Sequence, residues 1–232
     1  DGMTFMFFFT PDVAVPHEKQ LLDGVTGLYQ SRNLNGGWSD PERVLLNDDL
    51  ALDGCPFILD QTLWFCSTRA GYSGVHWFTA QLQDGRWTAW QEVEFDPSYQ
   101  VGELHISADG SALYFHSNRP GTKGANDIWV SRKADGGWDK PENLAPVNSA
   151  QDDSRPYLTP DGQELWFTRT HQGTPAIFRA RRGDSGWQEP EMIISQFAGE
   201  PTLDPEGNIY FVHHFFQEGE MIEVDIYVAY KK

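Results

Sequence analysis

Ser107-Ala-Asp-Gly-Ser-Ala-Leu-Tyr-Phe-His-Ser-Asn-Arg-Pro-Gly121, followed by Asp127-Ile-Trp-Val130 and Gly137-Trp138, decides the fold because most of it returns along the chain. The turn-tryptophan pair recurs as Gly37-Trp38, Arg86-Trp87, Gly137-Trp138 and Gly186-Trp187, so the tryptophans lie 49, 51 and 49 residues apart. Ahead of it comes a second marker, Leu28-Tyr29, His76-Trp77, Ile128-Trp129, Ile177-Phe178 and Ile226-Tyr227. A third precedes that one: Met6-Phe7, Trp64-Phe65, Tyr114-Phe115, Trp166-Phe167 and Tyr210-Phe211. Three markers in constant order mean one supersecondary unit used five times. The repeats run approximately over 1-50, 51-100, 101-150, 151-197 and 198-232, and they read as a single domain.

Within the third repeat, Glu103–Ser107 reads as a short strand a, turned at Asp109-Gly110 into strand b, Ala112–Ser117. A loop rich in Gly and Pro leads to strand c, Asp127–Arg132, and Asp135-Gly136-Gly137 turns into strand d, Trp138–Leu144. Short apolar-aromatic runs between Gly/Asp turns, with no helical period, describe an antiparallel meander. A four-stranded sheet apolar on both faces needs neighbours on both, and radial repetition supplies them. The expected fold is all-β, a five-bladed β-propeller of four-stranded antiparallel blades with incomplete terminal blades. The first repeat holds b, c and d, and the last holds a, b and c.

The quoted segment resembles the WD40-like (PD40) propeller repeat of TolB-type proteins. The pattern returns as Thr159-Pro-Asp-Gly-Gln-Glu-Leu-Trp-Phe167 and Asp204-Pro-Glu-Gly-Asn-Ile-Tyr-Phe211. It is weaker in the second repeat, where Asp60-Gln61 stands for Asp-Gly, and in the first, which lacks strand a. The resemblance implies a binding platform or assembly partner, with some relatives enzymes, and an extracytoplasmic (periplasmic or secreted) location. Fold alone does not select among these roles.

Composition narrows the field. With 39% hydrophobic residues and nine tryptophans among 232, the chain can bury a sizeable core. A net charge of −17 argues against nucleic acid or anionic lipid as partner, since both call for basic clusters. No apolar run approaches membrane-span length; the greasiest, Met3–Phe9, reads as a buried strand. Asp1-Gly2 matches the turns Asp109-Gly110 and Asp161-Gly162, so the strand expected before it is missing and the start reads as trimmed or processed. Cys55 and Cys66, on adjacent strands, allow either a cross-strand disulfide or two free thiols.

The meander places its short turns on one face and its long b–c loops and d–a connectors on the other, where function is expected. Strand a starts there with Asp53-Gly-Cys-Pro56, Gly102-Glu103, Asp153-Ser-Arg-Pro156 and Gly199-Glu-Pro201. Strand b ends there with Arg69, Arg119, Arg169-Thr-His171 and His213-His214. Glu103 and Glu200 are thus candidate acid and base, with Arg155, Arg169, His213, His214, Asp153 and Arg119 as candidate ligand contacts. The bland alternative is that the arginines tie neighbouring blades together through carboxylates. Adjacent His213 and His214 point to opposite sides of a strand, and His105 and His116 fall out of register. No HExxH, paired CxxC or EF-hand spacing appears, so neither metal nor cofactor is expected.

Tryptophans at repeating positions read as packing, whereas Tyr72, Tyr99, Phe197, Phe215 and Phe216 lie outside the pattern and are the better ligand contacts. The leading expectation is a monomeric, non-catalytic propeller that binds a small molecule or glycan, or a protein partner, on its long-loop face. Against it stand a glycoside hydrolase or polysaccharide lyase using Glu103 and Glu200, and a structural module of an envelope assembly.

Overall fold

The computed structural model describes residues 3–12, 15, 17–20, 23–34, 37–46, 51–69, 75–93, 101–135 and 137–232. Apart from a four-residue helical turn at His17–Gln20, the described chain is strand and turn. It forms five small antiparallel sheets, one per repeat, the blades of a five-bladed β-propeller. The chain resolves into two compact units, Asp1–Glu94 and Phe95–Lys232.

In the first unit, blade I pairs β1 (Thr4–Phe9), β2 (Gly27–Arg32) and β3 (Glu42–Arg43) in that order. Blade II orders β4 (Leu52–Leu59), β5 (Thr62–Thr68), β6 (His76–Gln83) and β7 (Arg86–Trp87), with β8 (Gln91–Val93) also on β6. One apolar cluster joins Leu28, Val44 and Leu46 to Leu63, Phe65, Phe78 and Ala80, so the two blades share a core. Met3–Phe9, expected to be buried, is only partly covered, and Phe9 is 41% exposed.

In the second unit, blade III holds β9 (Leu104–Ile106), β10 (Ala112–Ser117), β11 (Asp127–Ala134), β12 (Gly137–Trp138) and β13 (Glu142–Asn143). Blade IV holds β14 (Asp153–Leu158), β15 (Glu164–His171), β16 (Thr174–Gly183), β17 (Gly186–Trp187) and β18 (Glu191–Ile194). Blade V holds β19 (Ala198–Leu203), β20 (Ile209–Gln217) and β21 (Glu220–Ala229). Blade IV is apolar on both faces. Phe178 packs with Ile128 and Val130 of blade III, while Ile177 packs with Ala198 and, at its edge, Ile209 and Phe211 of blade V.

Two local features differ from the expected strands. Strand d is split into two short pieces in blades II, III and IV. Proline at 141 and 190 removes a ladder donor there. The break persists in blade II, where Trp90 replaces proline, because Thr88 Oγ1 takes the bond that Gln81 N–H donates (3.0 Å). Asp-Gly turns close strands a and b as the sequence implied. Asp109 Oδ1 accepts from the Ser107 hydroxyl at 2.5 Å and the Ser111 amide at 3.0 Å, and Gly110 takes a φ of 69°. These bonds hold the Asp109 carboxyl well down, at about 2.

Phe65, Phe78, Phe115 and Phe167 are the largest fully buried side chains. Removing one leaves a cavity as well as a lost transfer term. Phe167→Ala should lower unfolding free energy by about 3–5 kcal/mol in a denaturant titration.

Candidate functional site

Glu103, Arg155 and Glu200 meet. Arg155 Nε donates to Glu103 Oε1 at 3.0 Å and lies 3.2 Å from Glu200 Oε1, so one nitrogen of blade IV joins carboxylates from blades III and V. About a third of each side chain stays exposed, at 36%, 30% and 37% respectively, so the cluster opens to solvent.

The backbone explains the convergence. Blades IV and V carry a register shift in strand a, between Ser154 and Tyr157 and between Gly199 and Thr202. At each bulge one residue takes a left-handed conformation, Arg155 at φ 54° and Glu200 at φ 55°. Both precede proline, which disfavours the helical region further. Blade II repeats the device at Cys55, φ 50°, so the bulge belongs to the repeat and the residue type on it sets the chemistry. Because the bulge displaces Cys55, Cys66 pairs with Gly54 instead, and the two cysteines form no disulfide.

Two histidines border the cluster. His116 Nδ1 accepts from the Arg155 amide at 3.3 Å, and its ring lies so close over Gly102 that a Cβ there would stand 2.0 Å from Nε2. Burial and the Arg155 charge push His116 down to about 4, so it is neutral at pH 7. His214 is lowered as well, chiefly by burial, against the opposing pull of Glu200. Its Nδ1 is buried without a hydrogen-bond partner. Glu103 moves the other way, to about 7, through desolvation first and the Glu200 charge second, with Arg155 opposing both.

The other candidate residues lie in the scaffold. Arg169 Nε donates to Asp153 Oδ1 at 2.5 Å and Nη2 to Val147 O at 2.6 Å, and Asp153 is fully buried. The Arg169 guanidinium lies 5.2 Å from the Phe167 ring centre and 4.7 Å from that of Phe178. Arg69 does the same in blade II, paired with Asp53 at 2.7 Å and stacked on Phe65, Phe78 and Trp90. Arg119 stacks on Phe115 and Trp129. Arg69 and Arg119 stand four residues after the strand-b phenylalanine and Arg169 only two, yet all reach the same place. Desolvation raises Asp153 despite its partner.

His213 points away from Glu200, toward Tyr227 (ring centres 5.1 Å apart) and Phe197 (6.4 Å). Phe197 also meets Phe216 at 5.6 Å, and Phe215 and Phe216 are exposed. Tyr72 and Tyr99 lie outside the described residues. His105 is buried against Tyr157 and pushed down to about 3 by desolvation. His116 is a site residue not expected from the sequence, and its place follows from strand register. Leu113 pairs with Ile106 across the Asp-Gly turn, which sets His116 opposite Glu103. Among the described residues no three His, Cys, Asp or Glu side chains are placed to hold a metal ion. No helix among them is long and apolar enough to cross a membrane.

No protein-family model matches the chain, and no curated protein does. Solved structures match in fold. TolB from Acinetobacter baumannii aligns with a TM-score of 0.57 at 18% identity, over 97% of this chain and 50% of its own. The endo-arabinase from Bacteroides thetaiotaomicron aligns at 0.58 and 16% identity, over 99% of this chain and 90% of its own. A putative TolB from Agrobacterium tumefaciens aligns at 0.54 and 16%, over 86% and 69%. The chain thus spans about half the length of the Acinetobacter protein, and it shares with all three the propeller fold.

Two outcomes follow from this geometry. Arg169→Met strands a buried carboxylate and should cost about 3–5 kcal/mol in chemical denaturation, whereas Arg155→Met, in a cluster about one third exposed, should cost about 1 kcal/mol or less. A carboxyl raised on folding stabilises most below its unfolded pKa and loses that contribution as pH rises. The stability difference between the parent and Glu103→Gln should therefore fall from pH 4.5 to about 7 and level off above, as read by denaturation midpoints across pH.

Proposed function

We propose that the protein is a non-catalytic binding module whose ligand docks on the Glu103–Arg155–Glu200 cluster. The observation that carries this reading is the single Arg155 nitrogen that donates to Glu103 and makes an ion-pair contact with Glu200. An acid–base pair needs the reacting bond between its two members; here a guanidinium fills that gap. The two bridged oxygens lie at most about 6 Å apart, which disfavours the roughly 6.5–9.5 Å of inverting hydrolysis but not the roughly 5–5.5 Å of retaining hydrolysis, so it is the guanidinium between them that argues against catalysis.

A purely structural latch explains the cluster less well. Left-handed non-glycine residues cost about 1–3 kcal/mol each. Half-exposed ion pairs return about 0–1 kcal/mol. The strain at Arg155 and Glu200 therefore exceeds what their bridge gives back; Cys55 takes the same conformation, so the bulge belongs to the repeat and the ligand reading rests on the residues that occupy it. The exposed Phe215 and Phe216 add an apolar surface beyond His214 in the same strand. The same reading places the protein outside the cytoplasm, as its resemblance to TolB-type repeats implies.

One observation favours a second reading, a glycan-cleaving enzyme. Glu103 titrating at about 7 has the property that a general acid needs at neutral pH. The fold shared with an endo-arabinase over nearly its full length is compatible with that chemistry.

A thermal-shift screen with neutral oligosaccharides, organic acids and organic amines, run on the parent and on Glu200→Gln, tests both. The expected result is a compound that raises Tm in the parent, raises it less in the variant, and is recovered intact. Cleavage of an arabino-oligosaccharide that Glu200→Gln abolishes would install the enzyme reading instead. Silence across all three classes would remove the ligand site.

A further inference from the structure

Arg155 is gripped almost entirely at one atom. Nε donates to Glu103 and lies 3.2 Å from Glu200, Nη1 has one long contact to Ser154 Oγ at 3.4 Å, and Nη2 has none among the described residues. A guanidinium carries five N–H donors, four of them on the Nη atoms. Those four form the outer edge, the edge that matches a carboxylate through two parallel bonds. Other arginines of this chain are spent differently. Arg169 gives Nη2 to the Val147 carbonyl, Arg69 gives Nη2 to Asp53, and Arg179 divides Nη1 and Nη2 between Glu164 and Glu191. Arg155 is backed at Nε by two carboxylates, its side chain is about a third exposed, and Nη2 is not among the buried unpartnered atoms, so the outer edge is open to a ligand.

Resting on the reading of this cluster as a ligand site, we propose that Arg155 captures the carboxylate of a small organic acid on its Nη1–Nη2 edge. The incoming anion joins two glutamates already in place, so electrostatics would oppose it unless a proton entered as well. Glu103 is the group placed to take that proton, drawn from the buffer. Glu200 faces it from blade V and Arg155 from blade IV, and Asp152, His116 and His214 stand around Arg155. Both histidines are lowered and stay neutral near pH 7. Because Glu103 titrates at about 7 before the ligand arrives, binding should be tightest below that pH and weaken above it.

Isothermal titration calorimetry of the whole chain tests this with D-glucuronate against D-glucose, and N-acetyl-triglycine against its amide. The first pair probes sugar acids and the second peptide C-termini. Each is run in two buffers of different ionisation heat. The expected result is binding of one or both acids, neither neutral counterpart, and net proton uptake above neutrality. Affinity should fall about fivefold from about pH 6 to about pH 8.5. Arg155→Lys, which keeps the charge and loses the planar edge, should weaken the acid about tenfold or more. Glu103→Gln should flatten the pH dependence, a readout that a merely structural role would not move.

Glucose or the amide binding as well as its acid would overturn the carboxylate assignment while leaving the ligand site standing. Acid binding that survives Arg155→Lys unchanged would overturn the role of Arg155. No heat from any of the four, with a silent thermal-shift screen, would overturn both this inference and the ligand site beneath it.

Discussion

The fold depends on blades that carry apolar residues on both faces and need a neighbour on each to cover them. Blade IV shows the constraint most plainly. Ile177 and Phe178 are consecutive, so they project to opposite faces, and both are buried, one in a cluster with blade V and one with blade III. Neither could be hidden by a solitary sheet. The hydrophobic gain of such pairs, on the order of 1.5–3 kcal/mol for a fully buried side chain, is available only when blades stack.

Guanidinium groups finish the stacks at one end. Arg69, Arg119 and Arg169 lie on the ring faces of the buried phenylalanines, and Asp53 and Asp153 tether two of them. Blade III has Val101 at the position of those aspartates, and there Ser117 Oγ accepts from Arg119 Nε at 3.3 Å. A positive charge over an aromatic face within about 6 Å is attracted by the ring quadrupole, more strongly when desolvated. These three arginines use that interaction at the end of strand b, as Arg179 over Trp166 and Arg182 over Trp187 do elsewhere, and Arg119, Arg169 and Asp153, expected at the site, are found in the scaffold instead.

What distinguishes Arg155 from those arginines is its place in the repeat. It sits on the bulge of strand a, where the backbone turns left-handed and aims the side chain off the ladder, whereas the others stand at the end of strand b. Cys55, Arg155 and Glu200 occupy equivalent bulges, so the repeat supplies a position and the sequence varies the group on it. Glu103, the matching residue of blade III, completes the constellation without a left-handed φ. A rigid sheet carrying variable side chains at fixed points is a sound basis for recognition.

The amino-acid sequence by itself determined the five-fold repeat, the antiparallel order within each blade and the strand ends where polar residues gather. Those properties are local: they follow from turn chemistry at Asp109-Gly110 and Asp161-Gly162 and from the period of apolar residues. Even the meeting of Glu103, Arg155 and Glu200 could be read, because repeat alignment stands in for spatial superposition. Only the tertiary structure decided which charges are free. Arg169 and Arg155 look alike in sequence, but one lies desolvated over a phenylalanine pair beside a buried aspartate, and the other holds its outer edge in solvent. That difference rests on a one-residue bulge within the blade and on burial, and the burial arises from contacts among blades some fifty residues apart in the chain, beyond the reach of any local pattern.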